Sequence, residues 1–408
     1  MITLIAILNI IGLTIAGKRR YGFANPFQVY FFIASFTFTI YALTEKTWYP
    51  IGFDVKVIFI YITVYWLALF VISGRYISAT ELGGFDRTYK VNKTVFRYAF
   101  ALVLLGLPLL YARAQDIIGS ASLFSVSGFT NLRRGLSPDA PSYGVLAYLT
   151  PLSMVLSAVS VVLFVKRELK IKYAILSIAI SLAYCYLSTG RTFILLLACM
   201  ILGPSALAGK VRFKGAILIG AFFLSGVIGI AALTSKGINA GENASSNVDS
   251  FLQSSRSYTV APLIAFSNKI SLFEARKPTL FGEHVFRTWY AILHAMSIIK
   301  SPPPQLVQEF SFVPDATNVY TVYQPYVIDF GYFGFVIVAL FPLLHIYLYR
   351  RARMHGAIYS LLYSAMLYPL LMQFFQDQYF SLMSQWIQLV LWSLLLTTHI
   401  KLRNQRPV

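Results

Sequence analysis

The sequence predicts an all-α polytopic membrane protein with about eleven transmembrane helices. Of its 408 residues, 57% are hydrophobic and only 12% are charged. Apolar stretches of about 16 to 23 residues recur along the chain, which is the length that a helix needs to cross the hydrocarbon core. Basic residues fall in alternate loops, as they do where one side faces the cytoplasm. These properties exclude a soluble multidomain protein.

Most of the apolar stretches are separated by short polar or basic connections. In chain order, the predicted spans are residues 2–16, 26–43, 57–73, 95–110, 145–165, 173–188, 193–208, 216–233, 327–349, 357–375 and 386–400. They give a single membrane domain that covers residues 1–408.

The loop charges predict an N-terminus outside and a C-terminus in the cytoplasm. The basic clusters on the predicted cytoplasmic side lie at residues 18–20, 75–93, 166–172, 210–214, 350–353 and 401–406. The formal net charge of +19 is mostly this signal. It therefore does not indicate a nucleic-acid partner.

Two predicted outer segments, 111–144 and 234–326, are longer than simple connectors. Long structured loops on one face usually carry function. The second segment follows the eighth span and contains two stretches, 251–270 and 286–299, that are rich in apolar and aromatic residues. We expect both stretches to be amphipathic or re-entrant helices packed on the bundle.

Arginines on the predicted outer side are the first candidates for chemistry. Arg191 lies in the hairpin 188–192 between two spans, and a charge deep in hydrocarbon costs several kcal/mol, so we expect it at the membrane surface. A guanidinium there is suited to hold an anion. Cys185 and Cys199 lie inside spans, and no motif with metal-ligand spacing is present, so we expect neither a metal nor a cofactor.

A second group of polar residues precedes the ninth span. His284, Arg287 and His294 are spaced to share one side of a helix, and Asp329 follows the run 312–321. Each of these residues also has a purely structural interpretation. The histidines would be solvated or hydrogen-bonded, the run 312–321 would pack the loop, and Asp329 would cap a helix. The residues that could act as a base are Glu283, His284, His294, Asp315 and Asp329. The sequence does not choose among them, and we favour His284.

In three places the chain resembles the Wzy-type O-antigen polymerases, a family of bacterial oligosaccharide repeat-unit polymerases. The matching stretches are Ser188-Thr-Gly-Arg-Thr192, the segment 256–266 that begins Arg-Ser-Tyr-Thr-Val-Ala-Pro, and Thr317-Asn-Val-Tyr-Thr321 followed by Asp329-Phe-Gly-Tyr-Phe-Gly334. The resemblance implies a GT-C glycosyltransferase fold of the Wzy and O-antigen ligase type, with a large outer loop between the eighth and ninth helices.

The resemblance also implies an activity on the outer face of the bacterial inner membrane. Glycan on undecaprenyl pyrophosphate would be transferred to a lipid-linked repeat unit, without a metal or cofactor, to build O-antigen or a related polysaccharide. The partners would be the lipid-linked donor and acceptor and membrane lipids, and a chain-length regulator is left open. By residue type, the candidates for catalysis in such a reaction are Arg191, Arg256, Arg287, His284 and Asp329. The candidates for substrate binding are Arg133, Arg134, Tyr258, His294, Asn318, Tyr320 and Thr321.

Two other functions remain open at this stage. An O-antigen ligase would share the architecture and donor but would pass the glycan to a lipid A core. A transporter of lipid-linked oligosaccharide would show ionisable groups near the middle of the membrane, broken helices or an internal repeat. The Asn-Val-Tyr-Thr and Asp-Phe-Gly pattern resembles polymerases more closely than ligases, and the sequence shows no clear repeat and has its charges near span ends, which disfavours a transporter.

Overall fold

The computed structural model is mostly helical. It describes residues 1–18, 24–73, 91–136, 143–208, 258–270, 282–305, 308–314, 316–354 and 357–397. The chain divides into two compact units. Unit 1 comprises Met1–Ala79, Ser235–Tyr347 and Met366–Ser384, and unit 2 comprises Thr80–Thr234, Leu348–Ala365 and Gln385–Val408.

The regular elements of these described residues are numbered here in chain order. The first group is α1 (Ile2–Lys18), α2 (Pro26–Thr44), α3 (Phe53–Ser73), α4 (Lys93–Ile118), α5 (Val126–Gly135), α6 (Leu149–Val165), α7 (Ile171–Leu187) and α8 (Arg191–Leu207). The second group is α9 (258–270), α10 (Arg287–Ala295), β1 (Ser311–Phe312), β2 (Ala316–Thr317), α11 (Tyr323–Phe330), α12 (Phe333–Val338), α13 (Leu340–Met354), α14 (Ala357–Met372) and α15 (Met383–Thr397).

Within the described ranges, six helical stretches are long and apolar enough to cross a membrane. They are Pro26–Thr47, Phe53–Ser73, Lys93–Ile118, Gly144–Val165, Phe333–Met354 and Phe380–Thr397. Four shorter apolar helices are Ile2–Lys18, Ile171–Leu187, Thr192–Leu207 and Ala357–Met372. The protein is therefore an all-α polytopic membrane protein. The predicted span 216–233 lies outside the described residues, and the total of eleven spans stays a prediction.

Aromatic packing forms much of the core of unit 1. Tyr30 of α2 stacks on Trp66 of α3 with ring centroids 4.1 Å apart, and Phe59 meets Tyr323 edge-on at 6.0 Å. Helix α9 is buried over most of its length and brings Phe266 to the same Tyr323 ring. It is therefore a buried helix rather than an amphipathic surface helix.

Unit 2 is held together by small side chains that let helices approach closely. The Ser157 hydroxyl of α6 donates to the Ser177 carbonyl of α7 at 2.9 Å. A methyl group added at Gly106 of α4 would lie 2.2 Å from Leu149. Cys185 and Cys199 are buried free thiols, as their positions in apolar spans predict.

Helix α4 is longer than the span predicted at 95–110. The Asn92 side chain accepts a hydrogen bond from the Val95 amide and begins the helix, which continues through Pro108 to Gly119, where φ is +67°. The predicted outer loop 111–144 therefore starts as helix, and it also contains α5.

The span predicted at 327–349 is broken near its start. Helix α11 ends at Gly331, which adopts a left-handed φ of +59°, and the membrane-spanning stretch begins only at Phe333. Gly334 then packs against the middle of α11, where an added methyl group would lie 2.3 Å from the Tyr326 carbonyl oxygen. The sequence interpretation missed that two glycines let the chain reverse here.

We expect Gly334→Ala to destabilise the protein by about 2 kcal/mol, because the new methyl group would overlap backbone rather than a movable side chain. Thermal unfolding in detergent should show a lower midpoint. Gly17→Ala in α1 is the matched control, since its methyl group would make an ordinary 3.7 Å contact with Gln28. Equal midpoints for the two variants would contradict the proposed close approach.

Candidate functional site

A narrow cleft in unit 1 is lined by many of the polar residues that the sequence indicates as candidates. Its described walls come from residues 284, 287, 304, 305, 308, 318–321, 324, 325, 376, 377 and 381, and the space between them is about 430 Å³, including the part open to solvent. The predicted site residues that line it are His284, Arg287, Asn318, Tyr320 and Thr321. Residues that are distant in sequence are therefore brought together.

His284 and Asp329 form a hydrogen-bonded pair at this cleft. His284 Nδ1 lies 2.8 Å from Asp329 Oδ1, and the second carboxylate oxygen accepts the backbone N–H groups of His284 (3.0 Å) and Val285 (2.8 Å). The Asp329 side chain is fully buried and the His284 side chain is about one-fifth exposed. With Nδ1 donating to the carboxylate, Nε2 carries the lone pair of the neutral imidazole.

This arrangement corrects two expectations from the sequence. Helix α10 begins at Arg287, so His284 lies in the preceding turn rather than on one helical side with Arg287 and His294. Asp329 lies near the C-terminal end of α11 and does not cap a helix N-terminus. Both amides that Asp329 binds precede α10, so this carboxylate holds the turn that enters α10 rather than the start of its own helix.

Arg287 is fixed at the cleft by a backbone contact. Its Nε donates to the Pro304 carbonyl at 2.6 Å, which anchors the side chain on the rigid Ser301-Pro-Pro-Pro304 segment. The two terminal nitrogens form the end-on edge of the guanidinium, which can bind two oxygens of one phosphate. The arrangement can therefore hold an anionic group at the cleft.

The segment 318–322 forms one wall of the cleft and includes a strained residue. Strands β1 and β2 pair in antiparallel register and lead into this wall. Thr321 has a φ of +29°, which is rare for a β-branched residue, and the Val322 amide holds the turn by donating to the Gln373 carbonyl at 2.7 Å. Such strain is often found at functional sites. The Tyr320 hydroxyl donates to the Glu309 carbonyl, so this ring shapes the wall.

The sequence interpretation missed Asp377, which lines the cleft and is 2% exposed. One of its oxygens accepts from the Tyr379 amide (3.0 Å) and the Tyr326 hydroxyl (3.3 Å). The other accepts from the amide (3.0 Å) and the hydroxyl of Ser381. Burial raises the pKa of the Asp377 carboxyl, and these four donors oppose that shift.

Amide side chains were also missed at this site. The further polar residues that line the cleft are Gln305, Gln308, Gln324, Gln376 and Ser381. A signal was present in the polar run Gln376-Asp-Gln378, which follows an apolar span on the predicted outer side. It was hidden because these glutamines meet the loop residues only in the tertiary structure.

Several predicted site residues lie elsewhere or are not described. Tyr258 packs on Phe375 with ring centroids 5.8 Å apart, and His294 is exposed beside the Ile299 carbonyl. Arg133 and Arg134 are exposed in the last turn of α5, in unit 2. Neither Tyr258 nor His294 lines the cleft.

Two of the predicted arginines are not described at the level of their side chains. Arg191 begins α8 in unit 2, after the three-residue turn that follows α7, which agrees with the predicted hairpin. Nothing about its side chain is described. Arg256 lies outside the described residues, as does Asp315. The catalytic roles of both arginines stay predictions.

Comparison with known proteins identifies no family for this chain. No protein-family model, no curated protein and no solved structure matches the chain. Within the described ranges, there is also no group of three or more His, Cys, Asp or Glu residues that could hold a metal ion. A functional interpretation therefore depends on the geometry of the cleft.

The Asp329 carboxylate should control the local stability of the turn 283–286. We expect Asp329→Ala to speed amide hydrogen exchange at His284 and Val285 by about tenfold or more, since hydrogen bonds to a charged acceptor contribute about 1.5 to 3 kcal/mol. Hydrogen-exchange mass spectrometry would measure this. His284→Ala is the control, because it leaves both amide bonds in place. An equal increase in the control would contradict the role of the carboxylate.

Proposed function

We propose that the protein is a glycosyltransferase that polymerises undecaprenyl-pyrophosphate-linked repeat units into O-antigen or a related surface polysaccharide. The reaction takes place on the outer face of the bacterial inner membrane. The observation that carries the proposal is the His284–Asp329 pair, whose histidine lies with Arg287 on one cleft lined by amide and hydroxyl groups. Groups that can serve as a base, bind an anion and bind sugar hydroxyls therefore lie close together, which supports the proposal.

In the proposed reaction, His284 Nε2 takes the proton of an acceptor sugar hydroxyl. The hydroxyl oxygen forms a bond to the anomeric carbon of the donor glycan, while the bond from that carbon to the pyrophosphate oxygen breaks. The electron pair leaves with undecaprenyl pyrophosphate. Asp329 keeps the imidazole in the required tautomer and stabilises its protonated form.

Arg287 is the described cation that would stabilise the leaving pyrophosphate. Charge that develops on the phosphate oxygens is stabilised by a guanidinium held in place before the reaction begins. Arg191 and Arg256 remain candidates for the same role, with Arg133 and Arg134 as further candidates for substrate binding. The anomeric phosphate bond supplies the energy, so we expect no nucleotide, metal or cofactor to be required.

Asn318 and Thr321 are the described loop residues best placed to bind sugar hydroxyls, since both line the cleft. An amide offers donors and an acceptor, and a hydroxyl offers both roles. Tyr320 contributes a buried ring to the wall.

One observation favours a transporter of lipid-linked glycan as a second candidate. His345 is fully buried in the spanning stretch Phe333–Met354, and its Nε2 lies 2.7 Å from the Tyr379 hydroxyl. The helix is also interrupted just before that stretch. Ionisable groups inside spans and broken helices are typical of transporters. The His284–Asp329 pair would have no assigned role in a transporter, so the enzyme remains the preferred proposal.

The proposal is tested with purified protein in proteoliposomes that contain the lipid-linked repeat unit. The unmodified protein should produce a ladder of polymer on gels. We expect His284→Ala and Asp329→Asn to lower the rate of elongation by about 10²-fold or more, because they remove the base or its orientation. Arg287→Ala should lower it similarly, because it removes charge stabilisation in the transition state.

Arg113→Ala is the matched control, since Arg113 forms an exposed pair with Asp116 and lies outside the cleft. It should retain the full ladder. Activity in the His284 and Arg287 variants equal to that of the control would refute the proposed site. If the unmodified protein only moves the lipid-linked unit across the bilayer and His345→Ala abolishes that movement, the transporter replaces the enzyme.

A further inference from the structure

We propose that the cleft is the subsite of the acceptor and that it selects an uncharged terminal sugar, excluding one that carries a carboxylate. Asp377 is the residue that determines this specificity. The inference rests on the proposed function and deepens it, because it names the class of sugar that receives the glycan.

The first observation is the balance of charge along the described lining residues. Arg287 is the only arginine or lysine among them, and the Asp377 carboxylate lies on the same cleft. All four hydrogen bonds of Asp377 are donated to it, and two come from backbone amides that can only donate. Burial raises the pKa of this carboxyl, and the four donors oppose that rise and favour the ionised form, which can only accept. In the proposed reaction Arg287 holds the pyrophosphate of the donor, so among the described lining residues no second arginine or lysine is left to pair with an acidic acceptor sugar, which the Asp377 carboxylate would also repel.

The second observation is the orientation of the hydroxyl of Ser381. It donates its proton to Asp377, so its oxygen can only accept a hydrogen bond from a ligand. A sugar hydroxyl can donate to that oxygen, whereas an ionised carboxylate has no proton to give. Asp377 therefore acts through Ser381 as well as through its own charge.

The third observation is the number of neutral amides. Gln305, Gln308, Gln324, Gln376 and Asn318 line the same cleft, and a bond of 3.3 Å between Gln324 and Gln308 uses only part of their capacity. Each amide provides both a donor and an acceptor, which is complementary to hydroxyl and acetamido groups. The cleft is thus built to recognise neutral polar groups.

The experiment uses full-length protein and lipid-linked acceptors that differ only in the terminal sugar. The four sugars are N-acetylglucosamine, glucose, glucuronamide and glucuronic acid. Glucuronamide has nearly the shape of glucuronic acid without its charge, so this pair isolates the effect of charge. We expect the three neutral acceptors to be elongated and the acid to be elongated at least about tenfold more slowly.

Two variants test the residue assignment. Asp377→Asn removes the charge with little change in shape and should reduce the preference for amide over acid by about tenfold. Gln376→Arg adds a cation beside an unaltered Asp377 and should reduce the same ratio, which keeps the proposal testable if Asp377→Asn does not fold. Equal elongation of the acid and the amide by the unmodified protein would overturn the inference.

Binding separates this inference from the proposed reaction. Saturation-transfer NMR with the methyl glycosides of the same four sugars, on protein in nanodiscs, requires no catalysis. If no acceptor is elongated but the neutral glycosides bind and the acid does not, the polymerase proposal fails and the specificity stands. If polymer forms and the acid is used or bound as well as the amide, the specificity fails alone.

Discussion

The buried Asp329 carboxylate is the interaction on which the site depends. It connects two parts of the chain 45 positions apart by accepting from the His284 ring and from the amides of His284 and Val285. A buried carboxylate without partners would be strongly unfavourable, so these bonds must form when the protein folds. They fix the turn before α10, and the turn places His284 and Arg287 on the cleft. The same three hydrogen bonds therefore fix the turn and position the side chains of the proposed reaction.

The position of that carboxylate depends in turn on the reversal at residues 331–334. Gly331 takes a left-handed conformation and Gly334 packs on the backbone of Tyr326. Side chains at these two positions would force the chain apart or into strain. Helix α11 is consequently a separate short helix, and its last turn faces the loop that carries His284 instead of continuing into the membrane-spanning stretch.

The two acidic residues near the cleft differ in what they contact, and this difference separates their proposed roles. One oxygen of Asp329 binds the imidazole of His284, and the adjacent negative charge would stabilise that imidazole once it has accepted a proton. Asp377 accepts from two amides and two hydroxyls, so both of its oxygens are already occupied and it is not placed to take a proton from a sugar. The proposed roles, the proton transfer for one and the selection of the sugar for the other, therefore rest on the environment of each carboxyl rather than on its residue type.

The sequence by itself determined that this is a helical membrane protein. Span length and hydropathy are local properties, and the thickness of the hydrocarbon core sets both. It also indicated His284, Arg287 and Asn318 as candidates, since polar residues in a long outer segment are conspicuous. Only the tertiary structure decided that Asp329 pairs with His284 and that Asp377 lies on the same cleft. Those contacts join segments tens of residues apart, and they depend on a chain reversal that a hydropathy pattern does not record.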